Sequence, residues 1–419
     1  MFEIQVSRKL HRRDMSEKRF GLIGGVLGHS FSPQIHALLG DYEYKLYELR
    51  REELADFFKN SGLDGFNVTI PYKQDVIELC DEISDRARRI GSVNTVVRRA
   101  DGSFFGDNTD YFGFATLLGE CDGKGKAIIL GSGGSSKTVK TVLEDKGYSP
   151  VVVISRSGED NYTNLSKHYD AKIIVNTTPV GMYPHNGDAP ISLKEFRECT
   201  LVLDLIYNPS RTALVLEAEK LGIDARGGLL MLAAQGKLAS EIFCDVKIDD
   251  KRSYEVRDAL ERTMKNVIFI GMPGSGKSSI GRAFAEKCDK EFVDTDELFA
   301  KKHGISAGEM IEREGVSAFR HAETELLAEV CKKSGIVIAT GGGVVTVEQN
   351  YNLMHQNGTI VFVDRELSEL CTDGRPLSAK HGVEKLYEER IDKYNSWSDY
   401  KFRVHGIEET AADVFEKLM

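Results

Sequence analysis

The sequence predicts an α/β protein with parallel sheets covered on both faces, organised in two or three domains. Three observations predict this. Short apolar runs alternate with helix-compatible stretches along most of the chain, two of those runs lead straight into Gly-rich turns, and 419 residues exceed what one core organises. Net charge is −10, with 35 Lys+Arg against 39 Asp+Glu before Met264 and 20 against 26 from there on. Neither part is basic, so nucleic acid and anionic membranes are not expected partners. The seven cysteines at 80, 121, 199, 244, 288, 331 and 371 are odd in number and lack C-x-x-C spacing. They read as reduced thiols of a cytoplasmic protein with no metal site among them. The first twenty residues are polar and charged, with no apolar signal core, and no stretch is long enough to span a bilayer.

Taken in chain order, the first distinctive block is Gly28-His-Ser30-Phe-Ser32-Pro33, followed by the helical Ile35–Leu39. Two hydroxyls at a helix start can hold a carboxylate, where N–H groups and the dipole favour an anion. On local grounds a simple Ser32-Pro33 cap is the preferred reading. In Gly65-Phe-Asn67-Val-Thr69-Ile-Pro71-Tyr-Lys73, polar residues alternate with apolar ones, so one strand face is buried and the other polar. Lys73 emerges just past that strand, where a reactive group sits in an open α/β sheet. Ser92-Val-Asn94-Thr95 and Gly106-Asp-Asn108-Thr-Asp110 add two more polar strand ends. An isolated Lys is usually a solvated surface residue, whereas Lys73 with Asp110 in reach is an ion-paired proton donor.

The first Gly-rich turn is Gly131-Ser-Gly133-Gly134, between the strand Lys126–Leu130 and the helical Ser135–Lys146. Alone, G-x-G-G is a weak dinucleotide signal. The next strand, Val151–Ile154, runs into Ser155-Arg156-Ser157. An acid there would meet the ribose hydroxyls of NAD; Ser155 and Arg156 suit a 2′-phosphate, so the expected cofactor is NADP. The second turn is Gly271-Met-Pro-Gly274-Ser275-Gly276-Lys277-Ser278, leaving the strand Val267–Ile270 and opening the helix-like Ser279–Lys287. G-x-x-x-x-G-K-S in that context is a phosphate-binding loop: backbone N–H groups curl around phosphate oxygens, Lys277 meets the terminal phosphates, and Ser278 ligates Mg²⁺. ATP and Mg²⁺ are therefore expected ligands.

In their order, the blocks of the first part resemble shikimate dehydrogenase from about Phe20 to Met264. They continue with Asn176-Thr-Thr-Pro-Val-Gly-Met182, Asp204-Leu-Ile-Tyr207-Asn-Pro-Ser-Arg-Thr212 and Met231-Leu-Ala-Ala-Gln235-Gly236. The resemblance implies that Ser30, Ser32, Thr69, Asn94, Asp110, Tyr207 and Gln235 contact the substrate, and that Lys73 and Asp110 are a catalytic pair. It also places Gly131, Gly133, Gly134, Ser155, Arg156, Met182 and Gly228 at the NADP(H). Hydride transfer to a ketone builds negative charge on oxygen, which a positioned cation that delivers a proton relieves. Two positions depart from the family: Lys137 stands where Arg is frequent, and Ser155-Arg-Ser157 replaces the more usual Asn-Arg-Thr.

From Asn266 onward the chain resembles shikimate kinase. Beyond the loop the matching elements are Phe292-Val-Asp294-Thr-Asp296, Phe319-Arg320-His-Ala-Glu323, Gly341-Gly342-Gly343, Arg375-Pro-Leu377 and Leu386-Tyr-Glu-Glu-Arg390 with Tyr394. D-x-D at a strand end is expected to put both carboxylates on one face, Asp294 serving Mg²⁺ and Asp296 the substrate hydroxyl. Without the resemblance, such a pair reads more simply as helix caps. Arg320 and Arg390 suit a carboxylate clamp, and Gly342 lets backbone approach the substrate. Gly274, Ser275, Gly276, Lys277, Ser278, Ser279 and Arg375 are implied at the nucleotide, Arg375 on a mobile lid. The stretch Asp364–Gly374 is shorter than usual and has no evident adenine-stacking Arg; Arg365 is the candidate substitute.

The implied organisation is an extension over residues 1–18 and a two-lobed dehydrogenase. Its substrate lobe covers 19–120 with a return segment 227–264, and its Rossmann-like NADP lobe covers 121–226. A P-loop kinase domain with a parallel sheet follows over 265–419. The implied substrates, 3-dehydroshikimate and shikimate, belong to consecutive steps of aromatic amino acid biosynthesis, the second giving shikimate 3-phosphate. Quinate or another polyol as substrate, or one inactive half acting as a ligand sensor, are the alternatives. Oligomeric assembly is left open.

Overall fold

The computed structural model describes residues 17–28, 30–370 and 382–419. They form two compact units. The first comprises the chain up to Val180 with Ala189–Tyr207 and Glu217–Leu260; the second comprises Gly181–Asp188, Asn208–Leu216 and Glu261–Met419.

The first unit contains two sheets. Strands β1 (Arg19–Gly24), β2 (Glu43–Glu48), β3 (Gly65–Val68), β4 (Glu82–Ile83), β5 (Thr95–Arg98) and β6 (Phe104–Asp107) form one, in the order β2-β1-β3-β5-β6-β4. This sheet is mixed, which departs from the parallel arrangement expected of the whole chain: β3 with β5 and β5 with β6 run antiparallel. The reason is connection length. Only residues 99–103 join β5 to β6, too few for a parallel crossover, and Arg99 N–H closes the turn on the Ser103 carbonyl at 2.8 Å. Phe58, Phe66 and Phe104 pack under it edge-on.

The second sheet is fully parallel. Strands β7 (Ala127–Leu130), β8 (Val151–Ile154), β9 (Ile173–Asn176), β10 (Leu201–Asp204) and β11 (Asp224–Arg226) lie in the order β11-β10-β9-β7-β8. β7, β9 and β10 are buried end to end, which explains their unbroken apolar runs. The strand order reverses between β7 and β9, so a crevice opens at their carboxyl ends. The helices Asp110–Leu118 and Leu229–Cys244 cross closely at Gly113, where a Cβ would lie 2.6 Å from the Met231 carbonyl. That approach carries Gln235 to the strand ends of the first sheet.

The second unit is built on β12 (Asn266–Ile270), β13 (Phe292–Asp294), β14 (Val337–Ala339), β15 (Gly358–Asp364) and β16 (Tyr400–Arg403), all parallel in the order β13-β14-β12-β15-β16. β12 is central and entirely buried. Its carboxyl end meets the helix Lys277–Lys287 through the Gly-rich loop. Among the described residues, no helix is long and apolar enough to cross a membrane.

Candidate active sites

The first unit holds a cavity of about 450 Å³ lined by Ser30, Ser32, Asn67, Thr69, Lys73, Asn94, Asp110, Tyr207, Gly228 and Gln235 among others. Lys73 stands past the end of β3, and Asp110 is the first residue of its helix, beside the N-terminus. Lys73 Nζ donates to Asp110 Oδ2 at 2.6 Å, with both side chains largely buried. A carboxylate at a helix N-terminus is held by the dipole as well as by its cation. Asn94 Oδ1 accepts the Thr109 N–H at 2.7 Å, and Thr109 Oγ1 reaches Gln235 Oε1 at 3.4 Å. Burial pushes the Tyr207 phenol up, so it stays a hydrogen-bond donor across the physiological range. Gly228 cannot be replaced without moving backbone, because a Cβ would run into the Leu205 carbonyl.

The G-x-G-G turn sits at the β7/β9 crevice. Gly131 has φ +102°, and a Cβ on it would lie 2.8 Å from Thr178 Cγ2. Gly133 and Gly134 face open space, and the helix Gly134–Asp145 starts without a side-chain cap or an acid in its first turn. Free N–H groups with room above them fit a dinucleotide pyrophosphate. Ser155 and Arg156 follow β8, Arg156 exposed. Met182 is 44% exposed and falls in Gly181–Asp188, which packs with the second unit; it is not among the residues lining the first cavity.

A second cavity, of about 750 Å³, lies wholly in the second unit. The loop glycines Gly271, Gly274 and Gly276 all have positive φ, and a Cβ on Gly271 would sit 2.5 Å from the Val363 carbonyl. Lys277 is buried and folds back on the loop, donating to the Gly271 and Met272 carbonyls at 3.1 and 2.9 Å. Ser275 Oγ is buried without a partner, and the helix at Lys277 has no side-chain cap. This is a cradle for a polyphosphate. Gly274, Gly276, Lys277, Ser278, Ser279, Asp296, Arg320, Gly342 and Arg390 line the cavity together.

The opposite wall is a cluster of buried charges. Arg320 donates to Glu323 Oε2 at 2.5 Å, and its guanidinium lies across Gly343. The Gly342 carbonyl accepts from Arg390 at 3.1 Å and also from the Tyr394 hydroxyl. Burial raises the Glu323 carboxyl, with Arg320 opposing. Glu323 Oε1 and Arg390 Nε are both buried without hydrogen-bond partners.

The expected geometry of Asp294 and Asp296 needs correction. Asp294 ends β13, but Asp296 is in the first turn of the helix Thr295–His303, so strand alternation does not relate them. Asp294 caps that helix, its Oδ1 accepting the N–H groups of Asp296 and Glu297 at 2.8 and 3.2 Å. Asp296 lines the cavity; Asp294 and Ser275 are not among its lining residues. Arg375 lies outside the described residues. Sequence reasoning omitted Asn67 and Glu323 from the site, and both line a cavity; Arg365, the candidate substitute for the adenine-stacking Arg, lines the second cavity. Glu323 was legible in principle, one helical turn after Arg320.

A family profile described as shikimate dehydrogenase substrate binding domain matches residues 22–96, and one described as shikimate kinase matches residues 273–419. The chain is 36% identical over 268 residues to a shikimate dehydrogenase (NADP(+)) of Clostridium beijerinckii, covering 59% of this chain and 99% of that protein. It is 37% identical over 258 residues to the one of Methanopyrus kandleri, covering 53% and 89%. Among solved structures, a chorismate mutase/shikimate 5-dehydrogenase fusion protein from Clostridium acetobutylicum superposes at TM-score 0.55 with 36% identity, over 58% of this chain and 96% of that one. Shikimate 5-dehydrogenase from Thermus thermophilus, in complex with NADP(H) and shikimate, does so at TM-score 0.53 with 31% identity, over 58% and 99%. The chain belongs to the shikimate dehydrogenase family and carries, at its C-terminal end, a shikimate kinase domain.

Proposed function

We propose that this chain catalyses two consecutive steps of the shikimate pathway: reduction of 3-dehydroshikimate to shikimate with NADPH, then ATP- and Mg²⁺-dependent phosphorylation to shikimate 3-phosphate. The observation that carries the reading is the Lys73–Asp110 pair, 2.6 Å apart in a cavity of neutral donors, together with a separate phosphate cradle facing paired arginines.

In the first site, Ser30, Ser32 and Tyr207 hold the substrate carboxylate, while Thr69, Asn94, Asp110 and Gln235 hold its hydroxyls. Bound NADPH supplies the hydride. Lys73 delivers a proton to the developing alkoxide, and Asp110 keeps the ammonium aimed there. Gly131, Gly133 and Gly134 receive the pyrophosphate at the helix start, Gly228 serves the nicotinamide end, and Ser155 with Arg156 meets the 2′-phosphate.

In the second site, the Gly274–Ser279 backbone and Lys277 cradle the triphosphate. Ser278, on the cavity wall, would hold Mg²⁺, with Asp294 behind it available only through the oxygen that does not cap its helix; the ion would supply charge neutralisation to the phosphates. Arg320 and Arg390 clamp the shikimate carboxylate, with Gly342 providing close backbone approach. Asp296 orients the attacking hydroxyl, and Arg375 closes over the phosphates. The protein acts in the cytoplasm on small molecules, without nucleic-acid or membrane partners; its net charge and unpaired cysteines support that placing.

The test is a single-tube assay with 3-dehydroshikimate, NADPH, ATP and Mg²⁺, following NADPH loss and phosphorylated product separately. Lys73→Met should abolish both signals, with added shikimate restoring the second alone, and Lys277→Met should abolish only the second. Turnover of quinate in preference to shikimate would overturn the substrate assignment, and ligand binding without turnover would make one half a sensor.

A further inference from the structure

Beneath the first cavity lies a buried polar cluster that reaches the cavity wall through Asn67, Asn94 and Gln235. Its centre is His36, on the helix Ser32–Leu39, only 1% exposed. The imidazole stacks on Tyr44 at 3.9 Å with planes 10° apart. His36 Nδ1 pairs with the Tyr42 hydroxyl at 2.7 Å and Nε2 with Asn67 Oδ1 at 3.1 Å. Asn67 Oδ1 also accepts the Tyr44 hydroxyl at 2.7 Å, and its amide nitrogen donates to Thr95 Oγ1 at 3.0 Å and the Asn94 carbonyl at 3.3 Å. Thr95 and Thr109 share a hydrogen bond of 3.1 Å, and Thr109 joins Asn94 to Gln235.

This arrangement leaves little freedom. Asn67 must present its oxygen to Tyr44 and His36, because its amide N–H groups are taken by Thr95 and Asn94. His36 Nε2 must therefore carry the proton, and Nδ1 is left as an acceptor; the Tyr42 hydroxyl, which also contacts Ser240 Oγ at 2.9 Å, donates to Nδ1 when Ser240 in turn donates to Tyr42. Burial drives the imidazole pKa down to about 3, so the ring is neutral and has one N–H to give. The ionisable groups around it are the Tyr42 and Tyr44 phenols, both raised by burial and both protonated. Ser32, which lines the cavity, hydrogen-bonds to Tyr44 as well.

We propose that His36, as a neutral Nε2–H tautomer stacked on Tyr44, is a positioning residue for the dehydrogenase site. It fixes the Asn67 carboxamide and, through it, the Asn94–Thr95–Thr109–Gln235 set that faces the substrate hydroxyls. The inference rests on the dehydrogenase reading above. A residue acting this way should govern how well the ring hydroxyls are held, with less influence on Lys73, Asp110 or the dinucleotide turn.

The test uses the full chain, with shikimate oxidation by NADP⁺ as readout and kinase turnover as an internal control. His36→Phe keeps a flat ring against Tyr44 but leaves the Asn67 oxygen with Tyr44 as its one remaining donor and the Tyr42 hydroxyl with Ser240 alone. KM for shikimate should rise about tenfold or more, with kcat within about threefold and KM for NADP⁺ unchanged. His36→Gln, which can donate to Asn67 and accept from Tyr42, should recover most of that loss. Tyr44→Phe, which removes only one donor to Asn67, should fall between and covers the case in which His36→Phe fails to fold. An unchanged KM for shikimate in all three variants overturns the proposal. So does a uniform loss of kcat and of both KM values that His36→Gln does not restore. If the unaltered protein does not oxidise shikimate, the failure belongs to the functional reading and not to His36.

Discussion

Gly343→Ala is the sharpest probe of the kinase cavity, because this glycine is not there for its backbone. Its φ is −100°, which any residue adopts, so the substitution adds no conformational strain. What it adds is a methyl group in the place of the Arg320 guanidinium, and the guanidinium must swing away. The end of a long side chain moves at modest cost to the fold, but the Arg320–Glu323 pair is mostly buried, 13% and 6% exposed, and Glu323 would be left short of its cation. If Arg320 clamps the substrate carboxylate, losing one charge-assisted hydrogen bond removes about 1.5–3 kcal/mol of binding. That corresponds to a rise of about ten- to a hundredfold in KM for shikimate. The assay is steady-state phosphorylation at saturating ATP, with KM for ATP and dehydrogenase turnover measured on the same preparation. A KM for shikimate within twofold of the parent, in a protein that melts normally, would refute the assignment of Arg320 to the substrate.

Gly131→Ala should act on the other half alone: φ +102° costs a side chain about 1–2 kcal/mol, and the methyl meets Thr177 and Thr178. KM for NADPH should rise about tenfold with kinase turnover untouched, and a normal dehydrogenase would mean the turn does not shape the cofactor site. Acid should weaken the first unit through His36. The unfolded chain takes a proton there below about pH 6.5 while the folded one waits until about pH 3, so stability is complete above the upper value and falls between the two. At pH 4.5 this amounts to something on the order of 3 kcal/mol. His36→Gln should lose less stability than its parent between pH 7 and 4.5 in urea unfolding, and parallel losses would show that His36 is not the buried base. Raising KCl from 50 to 500 mM should increase the kinase KM for shikimate more steeply than the dehydrogenase KM; equal slopes would refute the difference in carboxylate recognition argued below.

What the sequence made legible were local features. Both Gly-rich turns lie where their strands and helices require, and Lys73 and Asp110 are residues whose position at strand and helix ends follows from pattern alone. What stayed hidden was long-range or depended on a boundary. The D-x-D argument failed because β13 ends at Asp294, two residues before alternation needs it to, turning Asp296 onto a helix and Asp294 into its cap. The β5–β6 hairpin was missed because the two four-residue strands were read only as polar strand ends; with their bounds known, the short 99–103 connection admits no crossover. The His36 cluster joins residues 6 to 31 positions apart on a helix and on β3, and Tyr44 lies on β2. No periodicity reports such a meeting; a histidine on an apolar helix face reads the same whether it is filler or a hydrogen-bonding hub.

The two cavities differ in how they can hold one and the same carboxylate, and the difference follows from what else each must do. Among the described residues, Lys73 is the only cation lining the first cavity, and it is tied to Asp110 at 2.6 Å. A free guanidinium there would compete for Asp110 and draw the substrate anion toward the proton donor. Hydroxyls such as Ser30, Ser32 and Tyr207 bind a carboxylate without adding charge, which leaves the Lys73–Asp110 balance alone. The second cavity has the opposite problem. Its reaction brings a polyphosphate and a carboxylate into one space, and Lys277, Arg320, Arg365 and Arg390 all line it. Mutual repulsion between the anions falls as each meets its own cation, so charge is the economical means of recognition there. Because ionic attraction is screened by salt while neutral hydrogen bonds are nearly indifferent to it, one metabolite should be bound with two different salt dependences on one polypeptide.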